Sequence, residues 1–261
     1  MFEAIEEFRR RLSVGELLIG SGVSFTDPQV SDALADSVDF LWIDLEHSTM
    51  SPEAMRGHLL AARSRRTAAV VRVPGSDTAF IKPVIDAGAP GIVVPQLKSV
   101  EEVRQIVADC RYPPTGQRGF GPGVPSDYSR KIGPDYVARA NASLFVSVMI
   151  ETVDAVEVIE EIARIPGLDS IVIGPYDLSG SLGVLGEIEH PSVLRAQERA
   201  IAAAAARSAG IFVGSGMAVD VDYACLQAKR GVQWILIGGD CGYLVDYADE
   251  MASDVRSRLA G

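Results

Sequence analysis

Residues Met149–Ser179 read M-I-E-T-V-D-A-V-E-V-I-E-E-I-A-R-I-P-G-L-D-S-I-V-I-G-P-Y-D-L-S. One apolar, β-branched run, Leu144–Ile150, ends at Glu151. A second, Ser170–Ile173, ends at Gly174-Pro175 and delivers Asp177 four residues past the strand. Between them Val156, Ile159 and Ala163 recur at helical spacing, while Glu157, Glu160 and Glu161 turn elsewhere. The pattern predicts strand, helix, strand, with a carboxylate beyond the carboxyl end of each strand. A crossover helix makes the strands parallel and puts both carboxyl ends on one edge of the sheet. Glu151 and Asp177 can then meet, and two carboxylates that meet repel unless a cation sits between them. A divalent metal answers that repulsion.

The same alternation runs outward in both directions. Further strands are expected near Leu17–Ser21, Phe40–Asp44, Ala69–Val73, Gly91–Val94, Ile211–Gly214 and Trp234–Gly238. Helices are expected at Pro28–Asp36, Pro52–Arg65, Thr78–Asp86, Val100–Cys110, Val153–Ile162, Ser192–Ala209, Val219–Arg230 and Leu244–Leu259, after a short amphipathic N-terminal one. Ser51-Pro52-Glu53 and Ser99 before Glu101-Glu102 carry helix-start signals, and Gly210 a stop. Eight strand–helix units in 261 residues predict a (β/α)8 TIM barrel, one domain over residues 1–261. A doubly wound open sheet is the competing architecture. The one long irregular piece, Arg111–Pro134, is rich in Pro and Gly, and loops of that length are commonly functional.

Composition narrows the function classes. The net charge of −11 disfavours nucleic acid and anionic membrane surfaces as partners. Three cysteines, none in a C-x-x-C pair, argue against a disulfide framework or a thiolate zinc site and fit a reducing cytoplasm. No stretch approaches the ~20 apolar residues of a membrane span, and the N-terminus lacks a signal-type apolar core.

In a barrel, chemistry belongs at the carboxyl ends of the strands. Those positions offer Ser21-Gly22, then Asp44, Glu46 and His47, then Arg72, Gln96, Glu151 and Asp177. The last two strands add Gly214-Ser215-Gly216 and Gly238-Gly239-Asp240. Glu151 and Asp177 read as ligands of a hard cation, Mg²⁺ or Mn²⁺ with Co²⁺ as a further candidate; the bland reading is a helix cap and a salt bridge. Arg72, inside V-V-R-V-P, needs a partner wherever it is buried, either a structural carboxylate or a developing oxyanion. His47 follows a strand in D-L-E-H-S and suits a general base or a structural contact; His58 and His190 look incidental. Asp44 and Glu46 cannot be told apart by period. The glycine loops after strands 7 and 8 are weak phosphate candidates. Only Lys82, Lys98, Lys131 and Lys229 exist, none within an expected strand, so a Schiff-base mechanism is disfavoured.

Taken in order, W-I-D-L-E-H-S, V-V-R-V-P, I-K-P-V-I-D-A-G-A, R-Y-P-P-T-G-Q-R-G, I-E-T and G-P-Y-D-L-S-G-S-L-G resemble the HpcH/HpaI family of metal-dependent class II pyruvate aldolases over nearly the whole chain. The resemblance implies a TIM barrel whose last helix is exchanged between subunits, in homo-oligomers from dimer to hexamer. It implies Glu151 and Asp177 as metal ligands, and Arg72 on the 2-oxo oxygen as it becomes an enolate. His47 would belong to the base, with Asp86 orienting it from a partner position, and backbone amides around Gly174, Pro175, Tyr176 and Asp177 would hold the pyruvate carboxylate. The family usually has glutamine two residues before the metal glutamate; here that residue is Met149, whose thioether cannot replace an amide's donor and acceptor.

The expected activity is cleavage or formation of 4-hydroxy-2-oxo acids through a pyruvate enolate and an aldehyde. The same site could decarboxylate oxaloacetate or condense the enolate with another acceptor, or serve a non-catalytic 2-oxo-acid-binding protein. A phosphosugar isomerase would leave Glu151, Asp177 and Arg72 unexplained. Acceptor choice is expected from the loops at Ser21–Asp27 and Arg111–Pro134.

Overall fold

The computed structural model describes residues 2–206, 210–217 and 220–260. Eight parallel strands close into a barrel in chain order: β1 (Leu18–Val23), β2 (Phe40–Asp44), β3 (Ala68–Arg72), β4 (Gly91–Val94), β5 (Phe145–Ile150), β6 (Ser170–Ile173), β7 (Phe212–Met217) and β8 (Trp234–Gly239). The expected (β/α)8 barrel is the observed one, and the open sheet is excluded by the β1–β8 pairing of Leu18 with Trp234 and Ile19 with Ile235. The helices are α1 (Glu3–Ser13), α2 (Gln29–Leu34), α3 (Pro52–Arg65), α4 (Thr78–Asp86), α5 (Val100–Cys110), α6 (Tyr136–Ser143), α7 (Val153–Glu157), α8 (Ile159–Ile162), α9 (Pro175–Ser181), α10 (Pro191–Ala205), α11 (Val221–Arg230) and α12 (Asp240–Ala260). The ends of two expected helices, at 207–209 and 219, lie outside the described residues.

Helix starts follow the local chemistry. Ser51 accepts from the Ala54 N–H with Pro52 in the first turn, and Arg66 closes α3 in the left-handed region at φ 61°. Ser99 and Glu102 form a reciprocal capping box on α5. Two short helices, α6 and α9, were not expected. Both lie beside Gly-Pro turns where the apolar run is too brief to show a helical period.

Alternation along the strands sorts side chains between two cores. Leu41, Ile43, Val71, Ile92, Val146, Val148, Ile171 and Ile173 point outward and pack under the helices. Phe40, Trp42, Val70, Val93, Phe145, Met149, Val172, Trp234 and Leu236 point inward. The foot of this inner core is closed by α1, whose Ile5, Phe8 and Leu12 enter it. The Phe8 ring meets Phe40, Phe145 and Trp234 edge-on, with centroids 5.5, 5.4 and 5.9 Å away. Gly214 makes room for Trp234, since a Cβ there would lie 2.4 Å from the indole.

One flank is unlike the others. Of the 21 residues of α12, Asp240 is the buried one, while Leu244, Val245, Tyr247, Met251, Val255 and Leu259 stand exposed. The outward side chains of the β1–β8 seam, Ile19 and Ile237, are likewise exposed, at 36% and 41%. No described helix is long and apolar enough to cross a membrane.

Replacing Phe8 with Ala removes the ring at the centre of the foot. Truncations of buried aromatics cost about 3–5 kcal/mol, so denaturant unfolding should show a midpoint lowered accordingly, with Phe8→Leu losing much less.

Candidate active site

At the carboxyl-end rim, β2 and β3 run in register with Asp44 opposite Arg72. Both side chains share the inward parity of Phe40, Trp42, Val70 and, on β5, Met149. Arg72 donates from Nε to Asp44 Oδ1 at 2.9 Å and from Nη2 to Asp44 Oδ2 at 2.6 Å, a two-pronged pair. Its third nitrogen, Nη1, lies 3.0 Å from Glu46 Oε2. The guanidinium also stands over Trp42, 5.7 Å from the ring centroid. Burial alone would lower the Arg72 pKa, but the Asp44 and Glu46 carboxylates raise it above its ordinary value. Burial likewise works to raise Asp44, and the Arg72 bonds outweigh it and hold that carboxyl below the usual range.

Sequence period left Asp44 and Glu46 undivided, and both converge on Arg72. Glu46 lies beyond the strand, where a two-residue period no longer applies, and folds back into the rim. Gln96 Nε2 donates to its Oε1 at 3.1 Å, and His47 Nε2 lies 3.6 Å from its Oε2. Burial raises the Glu46 pKa, against the pull of Arg72 and His47 and with the help of Asp44 and Asp177.

Glu151 is 2% exposed at the end of β5. Its Oε1 accepts the Gln96 backbone N–H at 2.5 Å; Gln96 reaches that position through a left-handed backbone, φ 57°. Its Oε2 faces Gly174, where a Cβ would come within 2.6 Å of it. Only glycine leaves that space clear. The Glu151 pKa is pushed up to about 7, chiefly by burial and further by Asp177 and Glu46, against the Gln96 N–H and Arg72. Asp177 sits in the first turn of α9 and is exposed to the rim, so the expected loop carboxylate is a helix residue.

These residues fit a divalent cation. Asp44, Glu46 and Glu151 act on one guanidinium, and Asp177 adds its charge beside Glu46 and Glu151, so carboxylates outnumber the cation at the rim. The donors are oxygens, as a hard ion requires. Among the described residues no three His, Cys, Asp or Glu side chains converge tightly enough to hold a metal alone; Glu151 and Asp177 would be a partial set, leaving positions for substrate oxygens and water.

Other expectations are placed differently. His47 is on the rim beside Glu46 but well exposed, its side chain 61% open. Asp86 ends α4, a helix that returns to the foot before β4 begins, so one chain does not bring it to His47. It is paired with the buried Arg118, whose Nη2 donates to Asp86 Oδ1 at 2.7 Å. The Arg111–Pro134 segment joins α5 to α6 and leads to the start of β5, which puts it at the foot and not beside the rim of its own barrel. Of the amides expected to hold a carboxylate, Gly174 N–H is spent on the Ile150 carbonyl at 3.2 Å and Pro175 has none. The Tyr176 and Asp177 N–H groups lie in the first turn of α9, where no carbonyl of the helix itself can accept them. Gly214 serves packing, and Asp240 accepts from the Ser24 and Phe25 N–H groups, so neither glycine loop has the character of a phosphate cradle. His58 is buried and structural, bonded to Ser31 Oγ and the Phe25 carbonyl. His190 caps α10.

Residues 24–246 match the family described as HpcH/HpaI aldolase/citrate lyase. The chain belongs to that family. It is 32% identical over 255 residues to the hydroxypyruvate/pyruvate aldolase of Roseovarius nubinhibens, covering 96% of each chain. It is also 32% identical to the 2-keto-3-deoxy-L-rhamnonate aldolase of Escherichia coli strain K12, covering 97% of this chain and 94% of that one. The crystal structure of an HpcH/HpaI aldolase from Desulfitobacterium hafniense DCB-2 superposes with a TM-score of 0.88 at 29% identity, covering 95% and 96% of the two chains. The family resemblance and the aldolase chemistry expected from the motifs are borne out together.

The Glu151 proton has a consequence for stability without metal. The folded pKa, about 7, exceeds the reference 4.5. Between those values the folded form holds a proton that the unfolded form releases, so this residue's contribution to stability falls as pH rises from 4.5 to 7. In EDTA, Glu151→Gln should therefore gain thermal stability relative to wild type at pH 8 and not at pH 4.5. Parallel melting curves at the two pH values check this.

Proposed function

We propose that this chain is a divalent-metal-dependent aldolase that cleaves or forms 4-hydroxy-2-oxo acids through a pyruvate enolate. The observation that carries the reading is the largely buried guanidinium of Arg72 at the rim, locked by Asp44 on two nitrogens and holding the third against Glu46. A divalent ion, Mg²⁺, Mn²⁺ or Co²⁺, held by Glu151 and Asp177 would supply Lewis-acid polarisation of the 2-oxo carbonyl. Arg72 Nη1 stabilises the oxygen as negative charge develops on it, preorganised by Asp44 so that little reorganisation is needed. The Tyr176 and Asp177 N–H groups orient the carboxylate of the 2-oxo acid. His47 takes the proton of the 4-hydroxyl as the C3–C4 bond breaks and the aldehyde leaves. Asp86 acts at that histidine only from a second copy of the chain.

Assembly as a homo-oligomer, from dimer to hexamer, is part of the proposal. The exposed apolar side chains of α12 and the uncovered Ile19–Ile237 seam are complementary features, and exchange of α12 between copies would bury both. Cutting the chain before Leu244, or replacing Leu244 and Val255 with Asp, should shift the species seen by light scattering towards monomer. Wild type unchanged by either alteration would count against exchange.

Met149 supports a second reading. Its Cε lies against Gly174, 3.0 Å from where a Cβ would stand, beside Glu151 Oε2. An apolar methyl there changes what the 2-oxo acid meets, which fits a decarboxylase of oxaloacetate or a condensing enzyme. The experiment is pyruvate release from a panel of 4-hydroxy-2-oxo acids and from oxaloacetate, with Mn²⁺ and with EDTA. Metal-dependent cleavage of a hydroxy acid is expected, with Arg72→Ala lowering kcat by about 10²–10³. Turnover of oxaloacetate alone would favour the second reading, and full activity in EDTA would defeat the metal requirement.

A further inference from the structure

The turn after β1 is held by more bonds than its own packing accounts for. Ser24, Phe25, Thr26 and Asp27 all stand exposed. Asp240, the first residue of α12 and only 5% exposed, nevertheless spends both of its carboxylate oxygens on this turn. Its Oδ2 accepts the Ser24 and Phe25 N–H groups at 2.8 and 2.9 Å. Its Oδ1 accepts Ser24 Oγ at 2.7 Å and the Cys241 N–H at 2.8 Å. From α3, His58 Nε2 donates to the Phe25 carbonyl at 2.9 Å, and Ser31 Oγ on α2 holds the imidazole through Nδ1 at 2.8 Å. Three helices therefore fix a backbone whose side chains are left open. Loops positioned in this way by a rigid scaffold are where binding surfaces are built.

The order of the strands says which part of a substrate this turn meets. In the closed ring β1 lies opposite β5 and beside β2. A 2-oxo acid with its carboxylate and 2-oxo oxygen at Glu151, Asp177 and Arg72 has its 4-hydroxyl at His47, just after β2. Of the neighbours of β2, β3 carries Arg72 at the enolate end, so the group on C4 leads on to β1.

The charge on that arc is one-sided. No lysine or arginine occurs between Arg11 and Arg56, or between Arg230 and Arg256, and these two stretches hold β1, β2, β8 and the turns that follow them. Arg56, on α3, gives its Nη2 to the Tyr128 hydroxyl at 2.8 Å. Asp27, Asp44 and Glu46 lie in the first of these stretches. The Ser24 hydroxyl is committed to Asp240, so what the turn offers is the Phe25 ring, 36% exposed.

We propose that the Ser24–Phe25 turn is the wall against which the aldehyde half of the substrate lies, and that it selects an uncharged, apolar tail over one ending in a carboxylate. This rests on the reading of the chain as an aldolase for 4-hydroxy-2-oxo acids. Phe25 supplies apolar contact, and the acidic arc repels a carboxylate because like charges set side by side cost several kcal/mol. Asp240 is a positioning residue, acting through the turn and not on the substrate. Since it opens α12, the wall takes its place from the same helix whose exposed apolar face marks it for exchange.

The test is kcat/KM for pyruvate release, with Mn²⁺, from three 4-hydroxy-2-oxo acids that differ only in the group on C4: methyl, propyl and 2-carboxyethyl. The last two have nearly the same shape and differ in charge. Wild type should favour propyl over 2-carboxyethyl by at least about tenfold. Phe25→Arg should shift that ratio at least about tenfold towards the carboxylate, a gain that a structural role for Phe25 does not predict. Phe25→Ala should lower the propyl-to-methyl ratio about tenfold, the scale of lost apolar contact in a pocket. Asp240→Ala should erode the same ratio, while Asp240→Asn, which still offers an oxygen to the two N–H groups, should retain part of it. Each ratio is read on one sample, so partial unfolding of a variant does not alter it. A wild-type preference for 2-carboxyethyl, or a propyl-to-methyl ratio untouched by Phe25→Ala, overturns the proposal and leaves the aldolase reading standing. A ratio lowered by Phe25→Ala but not by Asp240→Ala overturns the part given to Asp240. Release from none of the three acids defeats the aldolase reading and the proposal with it.

Discussion

A guanidinium cannot be buried alone, and Arg72 shows what its company dictates. Desolvating the charge costs more than packing returns unless carboxylates meet it with good geometry. Asp44 supplies that geometry because β2 and β3 are in register and both side chains share the inward parity. The pair then leaves one nitrogen free, and that nitrogen organises the rim: Glu46 folds back to reach it, Gln96 reaches Glu46, and the Gln96 backbone fixes Glu151. Negative charge accumulates beyond what one cation can balance. The result is a site tuned for added positive charge, with a carboxyl that keeps its proton to about neutrality until such charge arrives.

The architecture was legible in the sequence because the barrel strands are short β-branched runs bounded by polar or glycine turns. Phe40–Asp44, Gly91–Val94 and Ser170–Ile173 stand where the pattern puts them, and α3 and α5 start where Ser51 and Ser99 predict. Glu151 and Arg72 were legible for the same reason, since a charge at the carboxyl end of an apolar strand has few places to go. What period cannot carry is the path of the chain after a strand ends. Glu46 returns to the rim and Asp177 enters a helix, and nothing in alternation forecasts either. Asp86 and the Arg111–Pro134 segment were opaque for a different reason: both lie at the foot of their own barrel, and whether they meet a rim depends on another copy. Gly174 and Pro175 illustrate a finer limit. The motif marks the turn correctly, yet one N–H is consumed by β5 and the other does not exist.

The inner core divides the barrel into two regimes. Below Met149 it is mainly aromatic and aliphatic, with Ser147 and Ser170 buried among the rings; above it stand the charges of Asp44, Arg72 and Glu151. Met149 sits on that boundary, buried, with its methyl against Gly174. A low-dielectric floor directly beneath the carboxylates strengthens the electrostatic contacts above it, and Met149 is the part of that floor beside Glu151.

The closing of the foot has a bearing on how the chain reaches this state. Phe8 lies near one end of the polypeptide and Trp234 near the other, yet their rings meet at the centre of the floor. Contacts so distant in sequence form only after the intervening chain has been brought together, and parallel barrels are slow to assemble for that reason. The helix α1 is synthesised before β8 and must wait for it before its apolar face is fully covered. During synthesis that face is a sticky surface without its receptor, and the interval is the period of greatest exposure to aggregation.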